Sequence, residues 1–357
     1  RDVQLYNLVK QMCDVRLGLP NACVVADKFS KPHNEQYFAN EGLKINLKLG
    51  GTNQLVADGQ LGLIEEGKTM LVGIDVTHPS PGSAKNAPSV AAMVASVDKN
   101  LGQFPADIRI QAGRTEMVAE LDGLLKSRLE LWRQRNKSLP ENIIVYRDGV
   151  SEGQYDLVRE QELPLLKKAC EETYPASDTK GGLPRLSIVV VGKRHHTRFY
   201  ATNEQEADQR SKNPPNGTIV DRGVTEARYF DFYLQAHKAL QGTARPAHYF
   251  TVHDEIFTAK DAKNQGGNAN AADSLQELTH RLCYLFGRAT KAVSVCPPAY
   301  YADLVCERAR CYLDEVFDPS GSGTPTISAE EGEGQLPEVS FSNVTVHPNL
   351  RNTMFYI

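Results

Sequence analysis

Two aspartates stand where apolar strands end. Asp75 lies in Gly73-Ile74-Asp75-Val76-Thr77-His78-Pro79, and Asp148 follows Ile143-Ile144-Val145-Tyr146-Arg147. A carboxylate in such a place is costly to bury unless it is paired or bound to metal. Neighbouring parallel strands that each deliver an Asp to one sheet edge put the two acids side by side, and each then raises the other's pKa unless a cation neutralises them. Divalent magnesium, with its preference for oxygen ligands, does this. Two such ions, roughly 3.5–4 Å apart, can activate a water and stabilise the leaving oxygen of a phosphodiester. A plainer reading also fits: two unrelated strand-end aspartates that make turns. A third acid comes from a helix that starts after Pro297-Pro298. Its polar face carries Asp303, Glu307 and Arg310, with Arg308 on an adjacent face. Taken alone, Asp303 also reads as a first-turn acid facing the helix dipole.

The elements that must position these acids are legible as pattern. Thr69 to Val76, Ser89 to Val97 and Ile108 to Gln111 read as three strands. A helix from Glu116 to Gln134 follows, then a strand from Asn142 to Tyr146, a helix from Gly153 to Glu172 and a strand from Leu186 to Val191. This order predicts an RNase H-like mixed sheet, since a plain doubly wound fold would place a helix after each strand. Before it, residues 1 to about 60 read as an incomplete α/β unit. It has a helix over Tyr6 to Met12, a short strand over Ala22 to Val25, and a helix over Asn34 to Leu47 stopped by Gly50-Gly51. An α/β unit normally has a strand before its first helix, so this segment reads as cut and the chain as a fragment.

Composition excludes several classes. The 357 residues carry a net charge of −4 with 24% charged residues, ordinary for a globular protein. No apolar run reaches the ~20 residues needed to span a bilayer, so no membrane partner is expected. The seven cysteines form no C-x-x-C pair, which fits reduced thiols of an intracellular protein rather than a zinc site. A negative balance argues against a nucleic-acid binder, but net charge averages over faces. Lys193-Arg194-His195-His196-Thr197-Arg198 is densely cationic, while Glu330-Glu331-Gly332-Glu333 holds acid elsewhere. Ala262 to Asp273 and Asp318 to Gln335 lack large apolar residues and read as solvated loops.

Several of these segments together resemble one family. Gly73 to Pro79, Tyr146-Arg147-Asp148-Gly149-Val150-Ser151-Glu152-Gly153-Gln154, Lys193 to Arg198, Gly242-Thr243-Ala244-Arg245-Pro246 and Pro298 to Val305 closely resemble motifs of eukaryotic Argonaute PIWI domains, in the family's order. Leu43 to Gly51 resembles the end of a MID domain. Several long motifs in one order are far more specific than any single short one. The resemblance implies an α/β chain in two parts. Residues 1–63 would be the C-terminal part of a Rossmann-like MID domain, and residues 64–357 an RNase H-like PIWI domain with a mixed central sheet. The body of the chain departs from the animal and plant versions, which points to a fungal member.

The resemblance also implies a catalytic tetrad. Asp75, Asp148 and Asp303 match its first, third and last members and would bind two magnesium or manganese ions. The second member, a Glu on a mobile loop, best matches Glu116 in Gly113-Arg114-Thr115-Glu116, with Glu120 one turn later as the competitor. The expected activity is guide-RNA-directed endonucleolytic cleavage of a paired target RNA. Tyr6 and Lys10 share a helix face, as do Lys44 and Lys48. Such pairs are commonly just solvated faces. In the family this set holds the guide's 5′-phosphate, with Arg308 reaching in and the terminal carboxylate at Ile357 nearby. A Gln that usually helps falls at Ala22, beside Asn21. For the guide backbone the resemblance points to Lys193, Arg194, His196, Arg198, His237, Arg245, Arg288, Ser294 and Tyr300. Implied partners are a small guide RNA, its target, N-terminal and PAZ domains of the same protein, and silencing-complex proteins, in the cytoplasm. Two other classes remain open at this point. One is a guide-loaded module that recruits partners and rarely cleaves. The other is an RNase H- or integrase-type nuclease without a guide, which would lack the Tyr6, Lys10, Lys44 and Lys48 set.

Overall fold

The apolar run Thr69–Thr77 forms β1, the strand around which the rest is arranged. In the computed structural model, residues 2–84, 87–176, 182–239, 241–258, 270–317 and 344–357 are described. β2 (Ser89–Ala95) and β3 (Ala106–Gln111) add antiparallel on one side of β1. On the other side β4 (Asn142–Asp148) and β5 (Arg185–Gly192) add parallel. Beyond β5 come β6 (Thr218–Val220), β7 (Asp231–Gln235) and β8 (Ala247–Asp254). The sheet has eight strands in the order β3-β2-β1-β4-β5-β8-β7-β6. It is the expected mixed sheet, extended by three antiparallel strands beyond those singled out from the sequence.

β1, β4 and β5 are buried almost throughout because both faces of the sheet are covered, as their near-continuous apolar runs require. The first three helices are α1 (Val3–Gln11), α2 (Ala26–Phe29) and α3 (Glu35–Lys48). Next come α4 (Leu121–Asn136), α5 (Tyr155–Leu157) and α6 (Leu163–Thr173). α7 (Ala271–Leu282) and α8 (Pro297–Tyr312) follow. α4 and α6 bury Leu124, Leu125, Trp132 and Leu166 against one face of the sheet. α7, α8 and the last residues, among them Met354, Phe355 and Tyr356, cover the other face.

Four local expectations are corrected. Ala22 to Val25 is not a strand, because among the described residues no neighbouring strand gives it a ladder; α2 begins instead at Ala26. Residues 2–63 therefore hold helices and no strand among those described. The helix expected from Glu116 starts at Leu121, because the backbone N–H of Val118 is taken by the Glu162 carboxylate at 3.0 Å. The helix expected over Gly153 to Glu172 is broken: α5 passes through a π-helical turn, Val158–Glu162, into α6. Asn270 to Asp273 is not loop but the capped start of α7, with the Asn270 side chain accepting from Asp273 N at 2.8 Å. The loop expected at Asp318 to Gln335 lies outside the described residues, as does most of the other one.

Residues 1–63 and the sheet domain meet over an extended contact. Asn53 Nδ2 donates across it to Gly287 O at 2.7 Å, and within the first segment to Leu43 O at 2.9 Å. Gln103 Nε2 donates to Gly51 O at 2.7 Å, and Lys48 Nζ donates to Phe355 O.

Candidate active site and anion pocket

The parallel register of β1 and β4 pairs Gly73 with Tyr146 and Ile74 with Arg147. One step further along each strand come Asp75 and Asp148, so the two acids emerge side by side at one sheet edge. Gly149 turns the chain away with φ +87°, a conformation L side chains avoid, and its N–H caps Asp148 Oδ1 at 2.7 Å. The space matters as much as the angle. A Cβ at Gly149 would lie 2.9 Å from Asp75 Oδ1 and 3.4 Å from Glu116 Oε1. Asp75 and Glu116 thus flank the same glycine.

Asp303 arrives on α8, which approaches β1 closely because residue 73 has no side chain. A Cβ there would fall 1.9 Å from Pro298 O. Cys306 Sγ reaches Asp75 O at 3.4 Å from the same helix. The electrostatics record this crowding. Burial and then the Asp75 carboxylate push Asp148 up to about 7, and burial and then Asp75 push Asp303 up to about 6.

Glu116 is held at three points. Its Oε1 lies 2.9 Å from Arg147 Nη2, its Oε2 lies 2.8 Å from His78 Nε2, and its carbonyl accepts from Arg147 Nη2 at 2.7 Å. Arg147 is fully buried and pairs through Nε with Glu162 Oε2 at 3.0 Å. Glu120 points elsewhere, to Arg109 Nε at 3.2 Å, with its side chain 71% exposed. His78, whose Nδ1 lies 2.8 Å from Ser89 Oγ, forms this support with Arg147 and Glu162, and none of the four was singled out from the sequence. Arg147 is adjacent to Asp148 in its motif and could have been found there. Glu162 carries no local signal.

A second site lies where the first sixty residues meet α8. A cavity of about 310 Å³ is lined by Tyr6, Lys10, Lys44, Arg288, Arg308 and Ile357 among others. Lys10 Nζ sits 5.3 Å from the Tyr6 ring centroid and donates to Asn21 Oδ1. Arg308 pairs with Asp14 at 2.8 Å and donates to Phe355 O at 3.0 Å. Lys48 lies behind the wall, donating to the same Phe355 carbonyl. Burial, with Arg308 and Lys10 nearby, pushes the Lys48 ammonium down to about 6. Ala22 lines the cavity without a polar group, and its neighbour Asn21 bridges Lys10 and Asp14. Four cationic side chains line this cavity beside two acidic ones, Glu41 and Glu307, which leaves an excess of positive charge suited to an anion.

Residues 1–314 match the model of the Piwi domain. Protein argonaute 5 of Arabidopsis thaliana is 36% identical over 98% of this chain. The chain belongs to the Argonaute family. Protein argonaute 1B of rice, Oryza sativa subsp. japonica, is 38% identical over 99% of the chain. The chain spans about a third of the length of these curated relatives, 35% and 32% respectively. Among solved structures, the C-terminal lobe of a budding yeast Argonaute superposes with a TM-score of 0.83 at 33% identity, over 100% of this chain and 68% of that one. Kluyveromyces polysporus Argonaute with a guide RNA gives 0.82 at 32% identity, over 100% of this chain and 38% of that one. These neighbours place the eight-stranded sheet in the RNase H-like PIWI fold.

In this Argonaute chain two of the remaining expected cations lie near the carboxylates: Asp148 acts on Lys193, and Arg194 acts on Asp303. Lys193, just past β5, donates to Ser294 Oγ, and burial and then Arg245 lower its pKa. Arg194 is exposed, and its charge lowers the pKa of Asp303. His237 is half-buried, its Nδ1 has no partner among the described residues, and burial and then Lys193 lower its pKa. Arg198 donates to Thr197 O at 2.7 Å, and His196 is exposed. The Tyr300 ring lies 4.5 Å from Phe286. Arg288 lines the anion cavity.

The acids of this site offer a donor set of oxygen only, which would suit a hard divalent cation, and burial with their mutual repulsion raises Asp148 and Asp303. Among the described residues no three His, Cys, Asp or Glu side chains are already gathered at ligand spacing. Among the described residues no helix is long and apolar enough to cross a membrane.

Proposed function

We propose that this chain is the slicing half of a guide-directed endoribonuclease. It anchors the 5′-phosphate of a small guide RNA in the cavity of Tyr6, Lys10, Lys44 and Arg308, supported from behind by Lys48. It cleaves a paired target RNA at Asp75, Glu116, Asp148 and Asp303. The observation that carries the reading is the convergence of Asp75 and Asp148 on one sheet edge, with Glu116 beside them and Asp303 raising the negative charge further.

Two magnesium or manganese ions held by Asp75, Asp148 and Asp303 would supply the charge that activates water and stabilises a leaving 3′ oxygen. The protein's own residues do the rest. Glu116, fixed by Arg147 and His78, is placed to accept a proton or hydrogen bond from a water beside Asp75. Lys193, Arg194, Arg198, His237 and Arg245 hold backbone phosphates, which position the duplex without reading sequence. The products would be a 3′-hydroxyl and a 5′-phosphate. The target RNA, the N-terminal and PAZ domains, silencing-complex proteins and a cytoplasmic setting belong to the same proposal.

The test is cleavage of an end-labelled target with matched guide and magnesium, by the full-length protein and its Asp75→Asn variant. Cleavage should disappear in the variant while guide affinity holds. Near-normal cleavage by Asp75→Asn would remove the assignment.

A further inference from the structure

The anion cavity holds a carboxylate that a simple phosphate clamp does not need. Glu41, on α3, is 9% exposed and lines the cavity with Lys10, Lys44 and Arg308. Its Oε1 pairs with Lys44 Nζ at 2.8 Å, one helical turn on. Its Oε2 is buried and has no hydrogen-bond partner among the described residues. A buried carboxylate oxygen without a partner is costly, and such a group calls for an explanation.

The charges around the cavity sharpen the question. Lys44 is already engaged by Glu41, and Arg308 by Asp14. Glu307 adds a further acid to the wall. Lys10 and Arg288 are left as the wall's cations without a carboxylate partner among the ion pairs of the described residues. This is enough positive charge for one phosphate group, and additional phosphates would bring their charge against Glu41. The volume does not impose the limit, since about 310 Å³ is not filled by one phosphate group. The limit is electrostatic: like charges brought together out of water repel strongly.

We propose that Glu41 is a specificity-determining residue that makes the cavity select a 5′-monophosphate and reject a 5′-triphosphate. The inference rests on the reading of this cavity as a 5′-phosphate site. Lys44 and Glu41 both line the cavity, so a bound monophosphate competes with Glu41 for the Lys44 ammonium. On a triphosphate, the β- and γ-phosphates add negative charge to a cavity whose wall already carries the Glu41 and Glu307 carboxylates. Glu41→Gln keeps the shape and the ability to accept a hydrogen bond, and removes only the charge.

Direct titration of three otherwise identical labelled RNAs, bearing 5′-hydroxyl, 5′-monophosphate and 5′-triphosphate ends, tests this in metal-free buffer at fixed salt. The wild-type chain should bind the monophosphate about tenfold or more above the triphosphate. Glu41→Gln should reduce that ratio at least fivefold by improving triphosphate binding, and Glu41→Asp should retain it. Melting curves establish that each variant is folded. If Glu41→Gln does not fold, Glu41→Ala in the same titration substitutes, and its mono-to-triphosphate ratio should fall likewise. A monophosphate preference over hydroxyl with no change of the mono-to-triphosphate ratio in Glu41→Gln overturns the role of Glu41 alone. Equal binding of hydroxyl and monophosphate ends overturns the phosphate site itself.

Discussion

Arg147 Nη2 lies 2.9 Å from Glu116 Oε1 while Arg147 itself has no exposed surface. The same guanidinium grips Glu162 on its other edge, so a residue adjacent in sequence to one candidate catalytic acid positions another. Removing one partner of such a buried pair leaves an uncompensated charge. Glu162→Ala is expected to cost roughly 3–5 kcal/mol of stability. Glu162→Gln should be milder and should lower target cleavage far more than guide affinity, because Val118 and Glu116 lose their tether. Chemical denaturation and single-turnover cleavage measure the two effects. Loss of guide affinity in parallel with cleavage would count against a positioning role.

The loop acid can be distinguished by a pair of alanine variants. Glu116 flanks Gly149 together with Asp75, whereas Glu120 pairs with Arg109 and is mostly exposed. Glu116→Ala should abolish cleavage in single-turnover assays. Glu120→Ala should lie within about 0.5 kcal/mol of wild type in stability, as for other exposed substitutions, and should cleave normally. Inactivity of the Glu120 variant alone reverses the assignment.

Asp148 links the site to pH. Its folded pKa is raised to about 7, first by burial and then by Asp75. The unfolded chain releases this proton near 4 and the folded chain only near 7, so the folded state binds more protons in between. The contribution of Asp148 to stability therefore falls as pH rises across that window. In EDTA, the melting temperature of Asp148→Asn relative to wild type should rise from pH 4.5 to pH 8. A flat difference would mean that Asp148 is not held at a raised pKa.

Lys48 behaves in the opposite sense. Its folded pKa is lowered to about 6, first by burial and then by Arg308. Between about 6 and about 10.4 the unfolded chain holds a proton that the folded chain lacks, so stability rises with pH there. A phosphate dianion in the adjoining cavity favours the charged ammonium. Binding of a 5′-monophosphate RNA should therefore take up a proton, and affinity should fall as pH rises from 7.5 to 9. Calorimetry in two buffers of different ionisation enthalpy reads the uptake, and Lys48→Met should remove it. Identical heats in both buffers for the wild type would contradict the coupling.

The positions of β1 to β5, the placing of Asp75 and Asp148 at one end of β1 and β4 and the kinship of the chain were legible in sequence, whereas β6 to β8 were not. Buried parallel strands must be apolar, so β1, β4 and β5 declare themselves, and a charged residue at their ends is conspicuous. Periodicity likewise placed Tyr6 with Lys10, and Lys44 with Lys48, on shared helix faces. Tertiary structure alone decided where Glu116 sits. Its segment is withheld from α4 by Glu162, a contact across 44 residues between Val118 and Glu162 that leaves no local pattern. It also put Arg288 in the wall of the cavity, joined Asn21 to Lys10, and set Glu41 against Lys44 there. Each of these depends on which surfaces meet when α3, α8 and the last residues pack together. Local propensity fixes the element on which a side chain stands, and long-range packing fixes what that side chain faces.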